Sequence, residues 1–104
     1  MIRVAVIGGT DCLGDNMKLV SKYGDYDVLL FSYMSCTMLA QCALGLNEDF
    51  ARAFLNNRRI YVFSQGLQYK RLEDKNFFQM YSVYRRKLQS FGVRFINSAE
   101  EIKL

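Results

Sequence analysis

Residues 2–9, Ile2-Arg3-Val4-Ala5-Val6-Ile7-Gly8-Gly9, read as a β-strand running straight into a glycine turn. A run that is apolar on both of its faces suits a strand covered on each side, as in a parallel sheet. Two further segments share this character: Val28-Leu29-Leu30-Phe31, opened by Tyr26-Asp27, and Arg59-Ile60-Tyr61-Val62-Phe63, closed by Ser64-Gln65-Gly66. Val93, Phe95 and Ile96 make a fourth, shorter strand.

The segments between these strands change period. Asp15 or Asn16 can cap a short helix through Met17, Leu19 and Val20 that ends at Gly24. Leu39, Cys42, Ala43, Leu46, Phe50, Ala53 and Phe54 recur at helical spacing, with Gly45 and Asn47 predicting a break near 45–48 and Asn56-Asn57 a stop. Phe77, Tyr81, Tyr84, Leu88 and Phe91 form an amphipathic stripe that Gly92 ends. Ser98 with Glu101 reads as a capping box on a final stub. The resulting order, β-α-β-α-β-α-β with short links, predicts one α/β domain over residues 1–104. It is a small three-layer Rossmann-like, flavodoxin-like domain with a mainly parallel four-stranded sheet.

Composition narrows the chemistry. With 51% hydrophobic and 23% charged residues the chain can build a core, and 104 residues suffice for one. No apolar run approaches the ~20 residues of a membrane helix, and the opening reads as a strand and not as a leader, so a cytoplasmic location without membrane partners is expected. Histidine is absent, which removes Ser-His and Cys-His nucleophile pairs. Cys12, Cys36 and Cys42 lack the paired spacing of a disulfide or zinc framework. No metal or organic cofactor is called for. Residues 1–51 hold three basic and six acidic side chains, net −3, and residues 52–104 hold eleven and four, net +7. That asymmetry allows nucleic acid as a partner, but the basic doublets and triplet suit solvated surfaces better.

Ligands of such sheets bind outside the carboxyl ends of the strands. Gly8, Gly9, Thr10 and Asp11 follow the first strand, Ser32-Tyr33-Met34-Ser35-Cys36 the second, and Ser64 to Leu67 the third. Paired glycines let backbone amides approach a phosphate or ribose, although the spacing is neither GxGxxG nor a P-loop. The alternative is a turn that simply needs glycine. Cys36 near a helix amino end is a candidate thiolate nucleophile or, more simply, a small packed residue.

Gly45-Leu46-Asn47-Glu48-Asp49-Phe50-Ala51-Arg52-Ala53, leading into Ile60-Tyr61-Val62-Phe63, resembles the helix motif of nucleoside 2-deoxyribosyltransferases. The related Lonely Guy nucleotide-processing enzymes have a similar glycine-to-glutamate spacing. The resemblance covers roughly residues 27–63 and implies chemistry at the N-glycosidic bond. It assigns Asp49 as the catalytic carboxylate, Gly45 as the preceding glycine, and Ala51 and Ala53 as small helix positions; Asp27 also sits where the first family often places an aspartate. Three positions depart: Leu46 replaces a threonine, Asp49 a glutamate and Ala5 a tyrosine. Glu48 is the alternative carboxylate if the helix phase is shifted by one. Such a group can stabilise oxocarbenium character or attack the sugar carbon. Asp11, Tyr33 or Glu48 could then move the proton. Without function, Glu48 and Asp49 are first-turn acids that favour a helix amino end.

Two functions follow as expectations. The first is a nucleoside- or nucleotide-processing enzyme, with Asp49 or Glu48 catalytic and Gly8, Gly9, Thr10, Asp11, Tyr33 and Gly45 binding substrate. The second is a non-catalytic nucleotide-binding or regulatory module using the same cleft. Either would be expected to work as a homodimer or higher homo-oligomer, the aromatic stripe of residues 77–91 offering a helix seam.

Overall fold

The computed structural model describes all of residues 1–104. Five strands form one parallel sheet: β1 (Ile2–Ile7), β2 (Met17–Leu19), β3 (Val28–Phe31), β4 (Arg59–Phe63) and β5 (Arg94–Ile96), in the order β2-β1-β3-β4-β5. Three α-helices accompany them: α1 (Cys36–Ala43), α2 (Glu48–Leu55) and α3 (Lys75–Ser90). Single 3₁₀ turns lie at Ser64–Gly66, Gln68–Arg71 and Ala99–Glu101. The fold is the expected small Rossmann-like α/β domain, with one strand more than the four expected.

The extra strand replaces the first expected helix. Met17, Lys18 and Leu19 pair with Ile2, Arg3 and Val4 at the sheet edge. Only Met17 of the three is buried. A helix confined between Asn16 and Gly24 would have been too short to hold itself together in water. As a strand, the same backbone bonds to β1, and Met17 turns inward beside Val4.

The winding follows from handedness. Right-handed crossovers that move one way across a parallel sheet share a face, and those moving back take the other. From β1 outward to β2 the chain passes over the face of Val4, Val28, Leu30, Tyr61 and Phe63, where Cys12 and Leu13 pack. Every later crossover moves the opposite way and lies on the face of Ala5, Leu29, Phe31, Ile60 and Val62: the 20–27 connection through Val20 and Tyr26, then α1, α2 and α3. The helical layer is therefore one-sided. The other face is covered by the 8–16 loop and by Ala99 and Ile102 of the final turn.

The expected break between helices is present. Gly45 takes φ +75°, and the Asn47 side chain accepts a hydrogen bond from Phe50 N at 2.9 Å, starting α2. Asn57 stops the chain at φ 57° before β4, and Gly92 at φ 91° after α3. The stripe on α3 is largely used within the chain: Leu88 is fully buried, while Tyr81 and Tyr84 pack half-buried against the same core. At the final turn the Glu101 carboxylate accepts from Asn97 N at 2.6 Å and Ser98 N at 3.0 Å.

Candidate functional site

Strand order reverses between β1 and β3, so their carboxyl ends form the switch point at which ligands of such sheets sit. Gly8, Gly9, Thr10 and Asp11 lie there after β1, Ser32 and Tyr33 after β3, and Ser64 to Gly66 after β4. The loops are stitched together. Ser32 Oγ donates to Gly9 O at 2.8 Å, Met34 N donates to Gly66 O at 3.0 Å, and Gln68 N donates to Met34 O at 3.1 Å.

Two glycines make this closure possible. Gly8 takes φ 114°, and a Cβ on it would stand 2.5 Å from Ser32 Oγ and 3.1 Å from Tyr33 N. A Cβ on Gly66 would collide with the Ser32 carbonyl. The close partners of these glycines are thus backbone and side-chain atoms of the β3 loop. Above this closed floor stand exposed Thr10 and Asp11, Tyr33 at 46% exposure, and the amino end of α1, whose Ser35 hydroxyl accepts from Met38 N at 3.1 Å. Cys36 is half-buried in the first turn of α1.

The acids of α2 are elsewhere. The eight residues of α1 carry the chain from the carboxyl edge back toward the amino edge, and α2 then lies across that amino edge. Its first turn meets the 20–27 connection: Lys22 Nζ donates to Asp49 Oδ2 at 2.9 Å, and Arg52 Nη1 approaches Asp49 Oδ1 at 3.5 Å. Its last turn meets the end of α3, with the Phe54 and Phe91 rings 5.5 Å apart. Asp49 is only 19% exposed and is occupied by these two cations, whose contact raises the Lys22 ammonium above its usual range. Glu48 is exposed, and Gly45 belongs to the turn before α2. The six residues of β1 span about 20 Å between the two edges.

Of the residues expected to share one site, Gly8, Gly9, Thr10, Asp11 and Tyr33 come together, whereas Glu48, Asp49 and Gly45 do not join them. A motif spacing locates residues along a helix but not the edge of the sheet at which that helix starts. Asp27 also lies at the amino edge, in a network with Arg3. Arg3 Nη2 meets Asp27 Oδ1 at 3.0 Å and Arg3 Nη1 meets Asp25 Oδ2 at 3.0 Å, while Arg58 Nη2 meets Asp25 Oδ1 at 2.9 Å. Hydrogen bonds from the Arg3 side chain and backbone hold the Asp27 carboxyl below its usual range.

Two of the three thiols are held protonated. Burial pushes Cys42 up to about 12 and raises Cys12 above the ordinary thiol value. Nowhere do three Cys, Asp or Glu side chains converge to hold a metal ion.

The amino edge carries a concentration of arginine, of which only the Arg58-Arg59 doublet is among the basic groups expected on a solvated surface. One hollow there is lined by Gly24, Asp25, Tyr26, Arg52, Asn56 and Arg58. A second, of about 190 Å³, is lined by Arg58, Arg59 and Arg94 with Phe54 and Phe91 among its walls. A signal was available: in a parallel sheet all strand starts share one edge, and Arg3, Arg59 and Arg94 each stand at or beside a strand start. Comparison of the chain with family models, curated proteins and solved structures finds no match.

Proposed function

We propose that this chain is a non-catalytic binding module that holds a nucleoside or nucleotide over the carboxyl ends of β1 and β3. The carrying observation is the strand reversal between β1 and β3, which gathers Thr10, Asp11, Tyr33 and the α1 amino end at one edge. The α2 carboxylates lie at the opposite edge, and Asp49 is spent on Lys22 and Arg52. Glycosidic-bond chemistry needs a fixed carboxylate beside the sugar, and α2 does not supply one. Hydroxyl-bearing Thr10 and Tyr33 suit a ribose, and the tyrosine ring offers a stacking surface for a base.

Thermal denaturation with a panel of nucleosides and nucleoside monophosphates tests this reading. A true ligand at a hundred times Kd adds about 2.7 kcal/mol. Tyr33→Ala should weaken that stabilisation at least fivefold in Kd, and Asp49→Ala should leave it unchanged. No stabilisation by any member at millimolar concentration would reject the proposal. A second reading, an N-glycosidic enzyme, is favoured by one observation only: the exposed Asp11 carboxylate beside Gly9. Release of free base that disappears in Asp11→Asn, but not in Asp49→Asn, would establish it.

We also propose a homodimer. α3 leaves Phe77, the first residue of the stripe, exposed together with Met80 and Val83 at steps of three, beside the Tyr81, Tyr84 and Leu88 that the core uses.

A further inference from the structure

Sheets of this kind hold phosphate by three devices, and the carboxyl edge of this chain is poor in all of them. The first is a helix that starts at the glycine loop after β1 and turns its amino end on the anion. Residues 8–16 contain no helix here, and the chain crosses directly into β2. The second is a set of free backbone N–H groups. Ser32 N donates to Ile7 O at 3.0 Å, Met34 N to Gly66 O at 3.0 Å, Leu67 N to Ser64 O at 3.2 Å and Gln68 N to Met34 O at 3.1 Å, so these amides are already taken. The space beside Gly8 is filled as well, by Ser32 Oγ and Tyr33 N at 2.5 and 3.1 Å from where a Cβ would stand.

The third device is a cation. Segments 8–14, 32–36 and 64–69 contain no Lys or Arg, and their only charged side chain is the exposed Asp11. Its Oδ1 reaches back over the glycine loop, 3.5 Å from where a Cβ on Gly9 would stand. Asp15 belongs to the opposite edge, since Asn16 O accepts from Ile2 N at 2.9 Å. Lys70 and Arg71 follow Tyr69, which is buried against α3 with its ring 5.4 Å from that of Phe78. The amino end of α1 offers roughly half a positive charge. One of its N–H groups, that of Met38, already donates to Ser35 Oγ at 3.1 Å.

The same groups suit an uncharged sugar. A carboxylate only accepts hydrogen bonds, and ribose hydroxyls donate them. A phosphate beside Asp11 would instead set two anions together with no cation between them, and like charges at such a distance repel. We infer, on the reading of this edge as a nucleoside or nucleotide site, that it takes nucleosides and rejects their phosphates. Asp11 is the selecting residue: its carboxylate accepts from the sugar hydroxyls and repels a phosphoryl group.

Calorimetric titration of the full chain with adenosine, guanosine, cytidine and uridine, and with the 5′-monophosphate of each, tests this selectivity. At low salt the tightest nucleoside should bind at least tenfold more tightly than its own monophosphate. High salt should shrink that ratio, because screening weakens the repulsion between exposed anions. Asp11→Asn should strengthen monophosphate binding at least threefold and weaken nucleoside binding. Its melting temperature should stay unchanged, since the exposed Asp11 carboxylate takes part in no ion pair. Lys70→Gln with Arg71→Gln should leave monophosphate affinity as it is. A monophosphate that binds as tightly as its nucleoside, or a ratio that Asp11→Asn leaves intact, would overturn the inference while leaving a nucleotide site at this edge. No binding by any of these ligands at millimolar concentration would overturn it together with the site.

Discussion

At the scale of single residues, two glycines differ in what they permit. Gly66 packs against the Ser32 carbonyl, a backbone atom that cannot swing aside, whereas Gly45 has nothing within 4 Å of its missing Cβ but sits at φ 75°. Gly66→Ala should therefore cost about 3 kcal/mol, the upper part of the overpacking range. Gly45→Ala should cost about 1–2 kcal/mol from backbone strain alone. Urea midpoints of the two variants check the order; a milder Gly66→Ala would mean that the β3 and β4 loops are not closed upon each other. Asp27 makes a second prediction. Its carboxyl is depressed in the folded chain by hydrogen bonds from Arg3, so its stabilising contribution is complete above the unfolded value of about 3.9 and is lost as pH falls through the lower folded value. Stability measured from pH 7 to pH 3 should decline toward acid more steeply in the native chain than in Asp27→Asn. Parallel curves would show that the Arg3 contact is not felt in solution.

At the scale of elements, α2 is an eight-residue helix whose start depends on one side chain, Asn47 accepting from Phe50 N. Asn47→Ala should cost about 1 kcal/mol, and Asn47→Gly only a few tenths; equal losses would mean that the cap bond is not formed. Local signals of this kind were legible in the sequence. Gly45, Asn47, Asn57 and Gly92 mark the helix limits because capping and left-handed turns depend on neighbours within a few residues. The stretch 15–20 departs from its expected helix for the opposite reason. Whether Met17-Lys18-Leu19 becomes a helix or a strand is settled by the open edge of β1, which no local pattern reveals.

At the scale of the whole molecule, the one-sided helical layer leaves the outward face of α3 uncovered. If Phe77, Met80 and Val83 meet a second copy, Met80→Glu with Val83→Glu should convert a dimer into a monomer in sedimentation without lowering thermal stability below that of the native monomer. A native chain that sediments as a monomer at high micromolar concentration would end that proposal. The chain's alternation of buried apolar runs with helical stripes determined by itself that this is a parallel α/β domain, because burial on both faces and helical period are properties of neighbouring residues. It also named the loops at the carboxyl ends, which must follow the strands. The edge at which Asp49 lies was decided only by tertiary structure: a short α1 returns the chain across the sheet, and α2 docks its acid on Lys22 from another crossover. The gathering of Arg58, Arg59 and Arg94 around one hollow was decided there too, since strand neighbours distant in sequence meet only once the sheet has closed.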